Sequence, residues 1–154
     1  MEKNVLEIFI AAAVEMLSEM FGLTAKAGKP VEMDHLANHD WEVSGIIGIT
    51  GKGKGMLVLR FKESMILELL DKVGMTPGSP EEIPDMVNGL VGEIVNVVSG
   101  HSINTLPGDL DITVPLIVQG LNHKVSWPKF APVYTVPYST EVGGIEMAVC
   151  YAPD

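Results

Sequence analysis

Cysteine, basic side chains and long apolar runs are all scarce in this sequence, and each shortage excludes a class of protein. The one cysteine, Cys150, has no partner for an internal disulfide, so the chain is not a disulfide-built scaffold and fits a reducing cytoplasm. Its position in an apolar late segment marks it as a small core residue. Ten Lys and Arg stand against twenty Asp and Glu, a formal net charge of −10. That balance is a poor match to the phosphate backbone that dominates nucleic-acid affinity, and to an anionic lipid surface. DNA, RNA and membranes are therefore not expected partners. Glu7, Glu15 and Glu19 interrupt the most apolar stretch, which falls short of the roughly 18 residues that a membrane-spanning helix needs. The start, Met1-Glu2-Lys3-Asn4, lacks the basic character of a secretory signal, so a soluble cytoplasmic protein is expected.

What is present is enough to fold. The chain has 154 residues, 47% of them hydrophobic and 19% charged, about one domain's worth, so a single domain over 1–154 is expected. From Glu2 to Phe21, Val5, Ile8, Phe9, Ala12, Ala13, Met16, Leu17 and Met20 recur at three- and four-residue steps. This is an amphipathic helix closed by Gly22. Trp41–Thr50 and Met56–Phe61 read as two strands joined across Gly51-Lys52-Gly53-Lys54-Gly55, a hairpin. Lys62–Val73 predicts a shorter helix ended by Gly74. After Pro77-Gly78-Ser79-Pro80, Pro84 opens a third helix running to about Gly100 or Leu106, where Pro107-Gly108 stops it. Strands are expected at Asp111–Gln119, Val133–Tyr138 and Ile145–Tyr151. The fold class is α/β of the α+β type, a mainly antiparallel sheet with helices packed on it.

The first and third helices share a pattern. Glu15-Met16-Leu17-Ser18 before Gly22 and Glu93-Ile94-Val95-Asn96 before Gly100 both read Glu-x-x-polar-x-x-x-Gly, 78 residues apart. This suggests two diverged halves, about 1–77 and 78–154, of which only the second carries the Asn.

The third helix carries the strongest candidate site. At 100° per residue, Asp85, Gly89, Glu93, Asn96 and Gly100 fall in a stripe roughly 80° wide, opposite Val87, Leu90, Val91, Ile94, Val95, Val97 and Val98. Gly89 and Gly92 lie inside the helix, where a glycine costs about 1 kcal/mol relative to Ala. Either close packing within the fold or the approach of a partner surface would offset that cost. Asn96 is neither nucleophile nor base, but its carbonyl accepts from a water and its NH2 donates, so it can hold a water in a fixed direction. Orienting a water is sufficient where the electrophile is activated elsewhere, as in a phosphoryl group held by Mg2+. Glu93 is then available to pair with a lysine on the phosphoryl-bearing molecule.

Glu93-Ile94-Val95-Asn96 with Gly92 and Gly100, the helix end Glu19-Met20-Phe21-Gly22 and the hairpin strand Val43-Ser44-Gly45-Ile46-Ile47-Gly48-Ile49-Thr50-Gly51 together resemble the CheX family of chemotaxis phosphatases. The similarity extends over nearly the whole chain. It implies a pseudo-duplicated CheC-like fold and a phosphatase acting on a phosphorylated CheY-like response regulator, as the related CheC and FliY proteins do. In that scheme Asn96 positions the attacking water and Glu93 contacts the regulator's active-site lysine. Asp85, Gly89, Gly92 and Gly100 would line the partner-binding face. The chain itself would hold no cofactor or metal, the Mg2+ belonging to the regulator, and it would form a homodimer through sheet edges. A non-catalytic module that binds a receiver or flagellar-switch component is the alternative. Two positions depart from the family pattern. Ser18 stands where CheC has a second Asn, which implies one active site. Gly89 stands where members often carry an acidic residue, which bears on partner identity more than on the reaction.

Other motifs are weaker. Gly51–Gly55 lacks phosphate-loop spacing and lies between strands. His35 and His39, flanked by Asp34 and Asp40, have metal-pair spacing only if that segment is helical. His101 and His123 have no partner at a recognisable spacing and read as surface or loop residues.

Overall fold

A computed structural model describes residues 1–33, 40–121 and 123–154. The first helix, α1 (Lys3–Phe21), buries Leu6, Phe9, Ala12, Ala13, Met16, Leu17 and Phe21, the face its apolar spacing predicts. Gly22 ends it at φ 66°, where the Gly22 N–H donates to Ser18 O (2.9 Å) and the Leu23 N–H to Leu17 O (3.0 Å). A left-handed residue there satisfies carbonyls that the helix end would otherwise leave unpaired. Two short strands follow, β1 (Lys26–Ala27) and β2 (Val31–Met33), in a stretch that reads as loop from the sequence. They lack an apolar pattern of their own and exist because β7 (Val133–Thr140) offers them its free edge.

The predicted hairpin is β3 (Val43–Gly51) with β4 (Gly53–Phe61), in register from Val43↔Phe61 to Ile49↔Gly55. Its turn is tighter than the glycine-lysine run suggests, because Gly51 at φ 95° lets the chain reverse around Lys52 alone. The helices α2 (Glu63–Lys72) and α3 (Ile83–Thr105) follow, α3 with Pro84 in its first turn. The single strand expected over Asp111–Gln119 is two strands, β5 (Leu110–Ile112) and β6 (Leu116–Gln119). Both pair with β3, and the break falls just before Leu116, at Pro115, which has no N–H to give to a ladder. The last strand, β8 (Gly143–Pro153), pairs with both β7 and β4.

Among the described residues every pairing is antiparallel, and one eight-stranded sheet results, in the order β1-β7-β8-β4-β3-β5, with β2 also on β7 and β6 also on β3. The order is symmetric about the β4–β8 contact, since each central hairpin is flanked by short strands from the other half of the chain. One sheet face, with Val43, Ile47, Ile49, Leu57, Leu59, Phe61, Val136, Ile145, Met147 and Val149, forms the main core with the helices. The other carries a smaller cluster of Val58, Val125, Val133, Ala148 and Cys150, against which Trp127 and Phe130 pack. Cys150 is fully buried there, and burial pushes its thiol pKa up, so it is the small core residue expected of it.

Candidate functional site

The position of α3 is set by a missing side chain on β3. A Cβ at Gly45 would lie 2.8 Å from Val91 Cγ1 and 3.4 Å from Val95 Cβ, so only glycine lets the helix lie this close to the strand. Val87, Leu90, Val91, Ile94, Val95 and Val98 are buried as a result, and the opposite face is turned away from the core. There Asp85, Gly89 and Glu93 are exposed, while Asn96 and Gly100 are half-buried. Glu93 and Asn96 are three residues apart, which on a helix puts their Cβ atoms about 5–6 Å from each other. Among the described residues, neither the Glu93 carboxylate nor the Asn96 amide has a hydrogen-bond or ion-pair partner. Such a pair, with one charged acceptor and one neutral donor-acceptor, is free to engage a second molecule.

The three glycines divide. A Cβ at Gly89 or Gly100 would have no described atom within 4 Å, so no close packing among the described residues accounts for either. Gly92, by contrast, is buried, and its Cβ would lie 3.8 Å from Pro115 Cγ. Gly92 is thus part of the packing between α3 and the 113–115 link, not of the open face where the sequence reading put it.

Two flanks bound that face. On one side α1 approaches, and His101 Nε2 of α3 lies 2.9 Å from Glu15 Oε2. On the other run the link and β6, with Gln119 Nε2 donating to Asn88 Oδ1 (2.8 Å) and Pro84 O (2.9 Å). His101, which the sequence marks only as a surface or loop residue, lies on α3 with Glu15 as its partner, and Gln119 and Pro115 carry no sequence signal, because the partners of all three lie far away in the chain with no spacing to mark them. His123 also has partners: its Nδ1–H donates to Gly120 O (2.6 Å), and its Nε2 accepts from the buried Ser44 hydroxyl (2.6 Å). In the first half, Glu15 is occupied by His101 and Ser18 presents a hydroxyl, so α1 carries no counterpart of the Glu93–Asn96 pair.

Among the described residues no group of three or more His, Cys, Asp and Glu is placed to hold a metal ion. Asp34, His35 and His39, the other members of the weak metal reading, lie outside the described residues. Gly51–Gly55 belongs to a strand hairpin, with no helix N-terminus to receive a phosphate. No described helix is long and apolar enough to cross a membrane.

The family model described as chemotaxis phosphatase CheX matches residues 43–139. A crystal structure of a CheC-like superfamily protein from Shewanella sp. PV-4 is similar at 30% identity and TM-score 0.83, covering 99% of each chain. The CheY-P phosphatase CheX of Thermotoga maritima is 25% identical over 142 residues, covering 90% of this chain and 89% of its own. The CheX of a CheX–CheY–BeF3–Mg2+ complex from Borrelia burgdorferi is 27% identical with TM-score 0.80, covering 95% of this chain and 96% of that one.

Proposed function

The chain belongs to the chemotaxis phosphatase CheX family, and from that premise we propose that it dephosphorylates a CheY-like response regulator in the cytoplasm, using Glu93 and Asn96. The observation that carries this reading is the pair itself, one helical turn apart and unpartnered among the described residues, on a face that two glycines leave open. The Borrelia CheX, which shares this fold, was crystallised with CheY, BeF3 and Mg2+, and this supports a receiver as the partner.

In the proposed reaction a water oxygen attacks the aspartyl phosphate, the bond from phosphorus to the aspartate oxygen breaks, and the aspartate leaves as carboxylate with inorganic phosphate as the second product. The Asn96 amide fixes the water in line and removes orientational freedom from the attack. Glu93 pairs with the receiver's lysine and so fixes the register of the two proteins. The Mg2+ that would neutralise the phosphoryl oxygens would be held by the receiver, so that this chain need supply only the amide and the carboxylate. The symmetric strand order supports the further reading of two diverged halves, with one working site in the second. The outer strands of the sheet are suited to a homodimer, since an edge carries unpaired backbone groups.

Timed phosphate release from a phosphorylated receiver tests the reading. Asn96→Ala should reduce release to the receiver's own rate while binding persists, and Glu15→Ala and Ser18→Ala should leave turnover nearly unchanged. Full activity in Asn96→Ala overturns the mechanism, and binding without acceleration by the wild type establishes a non-catalytic module.

A further inference from the structure

Val114, on the link between β5 and β6, is 87% exposed, more than any other large hydrophobic side chain among the described residues. The link that carries it is pinned at both ends. The Thr113 N–H donates to Gly48 O and the Gly48 N–H to Thr113 Oγ1, each at 2.9 Å. On the other side Pro115 packs on Gly92, and Leu116 pairs with Ile46 of β3. A β-branched side chain on a fixed backbone has few rotamers to lose on binding, so it is pre-organised as an anchor.

The link is also well placed. Gly92, which Pro115 covers, precedes Asn96 by four residues, so the two positions differ by only about 40° around the helix. Pro115 therefore flanks α3 on the side toward which Asn96 leans, and Val114 is its immediate neighbour. Charge offers the complex little help, because a chain of net charge −10 must meet an anionic aspartyl phosphate. Beyond the single Glu93–lysine pair, apolar contact beside the site is the further source of affinity.

We propose that Val114 is an apolar anchor of the receiver-docking surface, inserting against an apolar side chain on the rim of the receiver's phosphorylation site next to the Asn96 amide. The proposal rests on the phosphatase reading above and extends the docking surface from the helix to the link.

The experiment uses the full chain with the host's CheY-like receivers. Kd is measured with Mg2+ and beryllofluoride loaded, and kcat and KM are measured with the phosphorylated form, for the wild type, Val114→Ser and Val114→Asp. Circular dichroism and sedimentation are recorded for each variant. The expected result is a KM and Kd raised about tenfold or more, as burial of a valine side chain implies, with kcat unchanged. Asn96→Ala should instead lower kcat. Unchanged Kd and KM in both Val114 variants, with an active wild type, overturn the anchor and leave the phosphatase reading standing. A changed sedimentation with unchanged Kd also overturns it, marking Val114 as a contact between copies of this chain. If no receiver binds the wild type, both readings fall together.

Discussion

Asn96 and Glu93 divide the proposed work by chemistry. The amide is neutral at every pH a cell reaches and both donates and accepts, which suits it to holding a water. The carboxylate only accepts, and its charge is what a lysine recognises. Replacing the charge while keeping the shape should separate the two roles. Glu93→Gln removes a charge-assisted hydrogen bond worth about 1.5–3 kcal/mol, so kcat/KM should fall about 10- to 100-fold in phosphate-release kinetics. A fall no larger than that of Glu15→Ala would place Glu93 outside the site. Both residues were legible in the sequence because a helix turns spacing into direction: residues three apart share a face whatever surrounds them. His101 was not legible in the same way. Its partner Glu15 lies on another helix, and only packing brings the two within 2.9 Å.

At the scale of the element, α3 pays for its bare face in helix propensity. Among the described residues nothing crowds Gly89, and its φ is not left-handed, so a methyl group there is free to be accommodated. Gly89→Ala should stabilise the protein by up to about 1 kcal/mol in urea denaturation. Gly89→Leu should fold equally well but raise KM for the phosphorylated receiver, because the added side chain stands in the docking face. Unchanged kinetics in that variant would show that the receiver does not approach at Gly89. The helices and the main hairpin were foreseeable because their signals are local: periodic apolar residues, a proline at the start of α3, glycines at the ends of α1 and α2. The split of Asp111–Gln119 into β5 and β6 also has a local cause in Pro115, although alternating apolar residues mask it. β1 and β2 had no such cause, since their existence depends on the edge of β7, a hundred or more positions along the chain.

For the molecule as a whole, the decisive contact is between α3 and β3 at Gly45. The surrounding residues, Val91 and Val95, are β-branched and have little freedom to move aside. Gly45→Val should therefore overpack the interface and cost about 1–3 kcal/mol, read as a lower urea midpoint, with phosphate release reduced because α3 is displaced. A midpoint equal to the wild type would show that the helix is positioned by other contacts. The acidic balance, the lone cysteine, the three helices and the Glu-x-x-Asn pair were set by the sequence alone, because composition and helical periodicity act locally and without reference to the rest of the chain. The tertiary structure decided three further things: that Glu15 is tied to His101 while Glu93 has no partner among the described residues, that Gly92 is covered by Pro115 while no described atom crowds Gly89 or Gly100, and that Val114 is exposed on the link that Pro115 ties to Gly92. Each depends on which distant segments meet. That is fixed by the burial of the sheet and helices as one body, and no spacing along the chain encodes it.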